Sequence, residues 1–121
     1  MKIRLTIPLL CILAVSSAVA QTTKSGFVKT SDGVRIHYLE AGSGRPIVFI
    51  PGWTMPAWIW QKQIDEFSKK YHVIAVDPRS QGESDKPALG HLPEIRARDY
   101  KELVDQLALK QPVLVLSLIH I

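Results

Sequence analysis

The sequence is short of the residues from which metal-centred and thiol chemistry is built. Its one cysteine, Cys11, lies in an N-terminal segment that reads as removable. The rest of the chain then has no disulfide, no Cys-x-x-Cys pair and no thiolate nucleophile. Four histidines, His37, His72, His91 and His120, share no ligand spacing such as His-x-x-x-His, so neither a metal nor a cofactor site is expected. No Lys/Arg run with interleaved aromatics occurs, and no acidic residue precedes Asp32. Removing residues 1–20 takes Lys2 and Arg4 from the 15 basic residues and none of the 11 acidic ones, leaving a net charge of +2. That bias is too small to argue for nucleic acid or an anionic membrane as partner. The two glycines of Ala41–Arg45 fit no phosphate-binding fingerprint, and their loop leads into a strand rather than out of one.

What is present begins with a leader. Met1–Ala20 has a basic start, an apolar run from Leu5 to Val15, and Ala18-Val19-Ala20 as a small-x-small cleavage site. This is the pattern of a secretory signal peptide. The run falls short of the roughly 20 apolar residues a spanning helix needs. The expectation is therefore an exported protein, periplasmic or secreted, without a stable membrane anchor. Residues 21–115 form the expected domain, and 121 residues hold at most one.

The stretch Pro46-Ile47-Val48-Phe49-Ile50-Pro51-Gly52-Trp53 organises that domain. Four apolar residues in a row predict a strand buried on both faces, and Pro51-Gly52 ends it in a turn. Before it, Asp32-Gly33 between alternating segments predicts a hairpin of Gly26–Thr30 with Val34–Glu40. Val34, Ile36 and Tyr38 share one face; Arg35, His37 and Leu39 share the other, where His37 is expected at the surface. After it, Trp60, Ile64, Phe67 and Tyr71 recur at helical spacing and predict a helix over 55–71. His72–Val76 is a second buried strand. Residues 77–92 form a Pro-, Gly- and Ser-rich loop, and a second helix begins near Pro93. A third buried strand starts at Pro112-Val113-Leu114-Val115. His72 and His91 are expected to be ordinary surface residues. The order hairpin, β, α, β, α, β predicts an α/β fold with a mainly parallel sheet.

These motifs resemble the α/β-hydrolase family. Ile47–Trp53 looks like its strand and oxyanion turn, where His-Gly-x is commoner. Val76-Asp77-Pro78-Arg79-Ser80-Gln81-Gly82-Glu83-Ser84-Asp85-Lys86-Pro87 resembles its Asp-x-Arg-Gly-x-Gly-x-Ser-x-x-Pro loop, with Ser80 where Gly is usual. The resemblance covers about residues 26–115. It implies the N-terminal portion of an α/β-hydrolase sheet, cut off at the strand before the nucleophile elbow. It also implies an oxyanion donor at the backbone N–H of Trp53, with Gly52 permitting the turn, and a small-molecule substrate in the intact parent. Asp77, Arg79 and Ser84 are implied to brace their loop. The missing His-Gly-x-Pro sequence favours haloperoxidase- and esterase-like branches over epoxide hydrolases.

The elbow itself is not found. Where Gly-x-nucleophile is expected after Val115, the sequence reads Leu116-Ser117-Leu118-Ile119-His120-Ile121. These six residues resemble the translated transposase end of a sequencing-library adaptor, and are expected to be a non-native tail. Ser117 and His120, three apart on one strand, point to opposite faces and make no dyad. No catalytic residue is expected in the chain. The first reading is thus a fragment, inactive by itself, of an exported hydrolase of ester-like or amide-like substrates. The second is a small non-catalytic protein that pairs through an open sheet edge.

Overall fold

The computed structural model describes residues 22–117. The expectations for the leader at 1–20, for Cys11, and for Leu118 to Ile121 lie outside those residues.

Among the described residues, five strands and two α-helices follow in the order β1 (Lys24–Lys29), β2 (Arg35–Ala41), β3 (Pro46–Ile50), α1 (Gln61–Phe67), β4 (His72–Val76), α2 (Pro93–Gln106) and β5 (Val113–Leu116). They form one sheet ordered β1-β2-β4-β3-β5. The β1–β2 hairpin joins β4 antiparallel, while β4, β3 and β5 run parallel. The antiparallel hairpin followed by parallel strands is as expected, consistent with a partial α/β-hydrolase core.

Strand periodicity divides the core in two. Val48 and Ile50 of β3 face a cluster with Ile36, Ile74, Val76 and Leu103 of α2. Their neighbours Ile47 and Phe49 face the opposite way, against Ala57, Ile64 and Val73. Both faces of β3 and β4 are therefore dry, which accounts for their uninterrupted apolar runs.

The structure corrects several expectations. His37 is 2% exposed, not a surface residue. The hairpin is not half-open: β2 is an interior strand, and Leu39, on the face of His37, packs against the second cluster. The helix expected over 55–71 is shorter and in two parts, a 3-10 turn at Ala57–Trp60 and α1 at Gln61–Phe67. Pro56 precedes the turn with no capping side chain, and the helix gives way to turns that carry the Tyr71 amide to Phe67 O. Of the predicted stripe, Ile64 is buried but Phe67 is 41% exposed. His72 is half-buried and paired with Glu40 at 2.6 Å, whereas His91 is exposed as expected.

At the far edge, β5 pairs through Leu116 with Ile50 of β3, and the Ser117 amide donates to Ile50 O. The third strand is thus not the buried one expected at Pro112–Val115: among the described residues its other side has no partner strand, and Val113, Leu114 and Leu116 are 39%, 50% and 55% exposed.

Candidate functional site

The parallel strands β3 and β4 end side by side, and the site is built from the loops that leave them. Asp77, immediately after β4, is buried and ties three segments together. Its carboxylate accepts the Ala57 amide from the β3–α1 connection. It also accepts the Glu83 amide at 2.9 Å and a hydrogen bond from His37 Nδ1 at 2.7 Å. Ser84 Oγ donates to Asp77 O at 2.6 Å and accepts the His37 amide at 2.7 Å. A buried carboxylate this well supplied with donors holds its surroundings in one arrangement, since each lost bond strands a buried polar group. Gly82 is what lets the loop close on it. A Cβ there would fall 2.2 Å from the Asp77 carboxylate, and its φ is +50°.

Arg79 holds the other half of the loop. It is 1% exposed. Its guanidinium donates to Asp99 of α2 at 2.7 and 2.6 Å, and to Asp32 of the hairpin turn at 3.0 Å. The hydrogen bonds to Asp99, followed by those to Asp32, raise its pKa further still. Asp32 is held down at about 2 by the Thr30 hydroxyl first, then by Arg79 and Arg98. Asp77, Arg79 and Ser84 thus do the bracing that the motif implies.

The braced segment carries Gly52 and Trp53. Gly52 O accepts the Met55 amide at 3.2 Å, closing the turn after β3. Among the described residues the Trp53 amide makes no hydrogen bond within the chain. It lies beyond the strand ladder and before the 3-10 turn, with an N–H available to an external acceptor. The Trp53 ring is 59% exposed, so it is no core residue, and the Arg96 guanidinium carbon sits 4.5 Å from its centroid. The left-handed residue of this turn is Thr54, at φ +67°, rather than Gly52. A β-branched residue there stores strain at the mouth of the site. Beside the turn a cleft of about 430 Å3 is lined by His37, Thr54, Trp58, Asp77 and Glu83 among others.

Sequence reasoning missed two contributors. His37 was obscured by strand alternation, which puts it opposite the obvious apolar face. Asp99 carried a legible signal: it lies four residues before Leu103 on the buried stripe of α2, where a carboxylate needs a cation. No group of three or more possible metal ligands occurs among the described residues. No described helix is long and apolar enough to cross a membrane.

Comparison with known proteins converges on one neighbourhood. The alpha/beta hydrolase family matches residues 47–116. A soluble epoxide hydrolase of Corynebacterium is 40% identical over 76 residues, covering 63% of this chain and 27% of that protein. A non-heme chloroperoxidase of Streptomyces lividans is 42% identical over 91 residues, covering 73% and 33%. Among solved structures, the haloalkane dehalogenase DatA of Agrobacterium tumefaciens superposes with a TM-score of 0.73 at 32% identity, covering 78% of this chain and 32% of that one. An esterase of Exiguobacterium antarcticum gives 0.70 at 34%, covering 73% and 33%. The chain spans about a quarter to a third of the length of these relatives. Epoxide hydrolases stand beside haloperoxidases here, so the missing His-Gly-x-Pro sequence does not set the chain apart from them.

Proposed function

The chain belongs to the alpha/beta hydrolase family, and from that premise we propose that it is the N-terminal part of an exported hydrolase of ester-like or amide-like small molecules. The Trp53 amide is one donor of its oxyanion hole. Attack on a carbonyl puts negative charge on its oxygen, and a fixed N–H aimed at that oxygen lowers the barrier by roughly 3–4 kcal/mol. The observation that carries the reading is the Trp53 amide, without a partner among the described residues, on a segment anchored at Ala57 by a buried carboxylate. Its position just past the carboxyl end of a parallel strand supports the reading, because open α/β sheets bind ligands there.

The nucleophile, the acid and the catalytic histidine come from segments beyond this chain. In the parent they follow in the order nucleophile, acid, histidine. A serine is the default nucleophile; an aspartate would turn the reading toward dehalogenation. The chain alone is inactive. The test is to recover the downstream coding sequence and assay the full-length protein on a panel of esters, amides and haloalkanes. An elbow motif and hydrolysis of one class are expected. An elbow without a nucleophile, or no hydrolysis, would overturn the reading.

The exposed edge of β5 favours the second reading, a binding protein that pairs through it. Urea unfolding of residues 21–121 separates the two. A cooperative transition supports a self-sufficient binding protein, and a broad, non-cooperative one supports the fragment.

A further inference from the structure

We propose that Ser25, His37 and Asp77 form a second nucleophilic relay, separate from the oxyanion turn, through which Ser25 reacts covalently with activated phosphonyl and acyl electrophiles. The inference does not rest on the function proposed above.

The geometry follows from the β1–β2 ladder. His37 stands opposite Phe27, and Ser25 lies two residues from Phe27 on the same face of β1. Ser25 is therefore the diagonal neighbour of His37, within reach of its ring. Its Oγ lies 2.8 Å from His37 Nε2, and His37 Nδ1 lies 2.7 Å from Asp77 Oδ2. A carboxylate at Nδ1 fixes the proton there and leaves the Nε2 lone pair to accept from the serine hydroxyl. This connectivity activates a serine when the hydroxyl is accessible.

The three residues differ in exposure as that role demands. His37 and Asp77 side chains are each 3% exposed, so the base and its orienting carboxylate are shielded. Ser25 is exposed, so an electrophile has access. Further contacts hold the base and its carboxylate. The Phe27 ring packs on the imidazole with centroids 5.1 Å apart. Amides of Ala57 and Glu83 fix the Asp77 carboxylate. Glu83 Oε2 lies 3.8 Å from Nε2.

In the reaction with a fluorophosphonate, Ser25 Oγ attacks phosphorus and the P–F bond breaks. Fluoride leaves, and the hydroxyl proton passes to His37 Nε2 and then to solvent. No oxyanion donor is assigned to Ser25, so the product is a stable adduct, one per chain, rather than turnover. Peptide mapping separates such an adduct from one at an elbow nucleophile of the full-length protein.

The test is labelling of the full-length protein with an alkyl fluorophosphonate, followed by peptide mapping by mass spectrometry. The adduct is expected on Ser25, forming on the order of 10²-fold faster than in concentrated urea, the gain that a positioned general base supplies. Ser25→Ala, at an exposed position, removes it while the circular-dichroism spectrum is unchanged. His37→Gln lowers the rate to the urea value. Labelling of Ser25 no faster than in urea, or equal labelling of the other serines within residues 22–117, overturns the proposal.

Discussion

The carboxylate of Asp77 and the amide of Ala57, 20 positions apart in the chain, are joined by a buried hydrogen bond. Through it the loop after β4 fixes the loop after β3, which carries the Trp53 amide. Asp77→Ala strands the Ala57 and Glu83 amides and the His37 imidazole. Unsatisfied buried groups cost about 1–3 kcal/mol each, and a total loss on the order of 3 kcal/mol is expected from relaxation of the loops. The urea midpoint of the full-length parent checks it. The Ala57 amide should also lose protection from hydrogen exchange. An unchanged midpoint would show that the carboxylate fixes nothing.

A second prediction concerns the ion pair behind the loop. Arg79 and Asp99 are each 1% exposed. Removing one member of a buried pair leaves an uncompensated charge and costs about 3–5 kcal/mol. Arg79 keeps Asp32 as a partner, so Asp99→Ala should fall near the lower end, about 3 kcal/mol. Asp99→Asn, which retains an acceptor for Arg79, should lose less. Denaturant unfolding of both variants in the parent measures the difference, and equal losses would contradict the assignment.

Acid should loosen the same corner. The Asp32 carboxyl is held at about 2, below its ordinary 3.8. A depressed folded value means that the group adds stability above the unfolded value and loses it as pH falls through the folded one. Its contribution is therefore whole at pH 5 and declines from about pH 4 to about pH 2. Asp32 is 36% exposed, so solvent and salt screen the effect. Asp32→Asn should flatten the stability curve across that interval. An unaltered slope would contradict the pairing.

One substitution should stabilise. Ser80 sits at φ +67° with its hydroxyl buried and unpartnered among the described residues. A left-handed L-residue costs roughly 1–2 kcal/mol, partly offset by the greater unfolded-state entropy of glycine. Ser80→Gly is expected to raise stability by about 0.5–1 kcal/mol, read from the urea midpoint. A loss would show that the hydroxyl has a role the contacts do not reveal.

Ser80 also shows what a sequence carries and what it hides. That a glycine is usual at its position was legible; that the reason is a left-handed backbone needed the structure. The strands were legible wherever both faces are buried: β4 at His72–Val76 matches its apolar run. The first helix was overextended because Trp60 and Phe67 keep helical spacing across a 3-10 turn and a short α-helix, which spacing alone does not distinguish. At the site, the chain order put Gly52 and Trp53 after a buried strand. The contacts of His37 and Asp99 join segments 40 and 20 positions apart, and no local pattern encodes such distances.

The proposed role of the Trp53 amide as an oxyanion donor is tested most directly by comparing Trp53→Pro with Trp53→Ala in the full-length protein. Proline removes the N–H, whereas alanine keeps it and removes only the ring. Trp53→Pro is expected to lower kcat on the order of 10²- to 10³-fold, the loss typical of one missing donor, with Trp53→Ala close to the parent value. Equal rates for the two variants would show that the N–H of residue 53 does not stabilise the transition state.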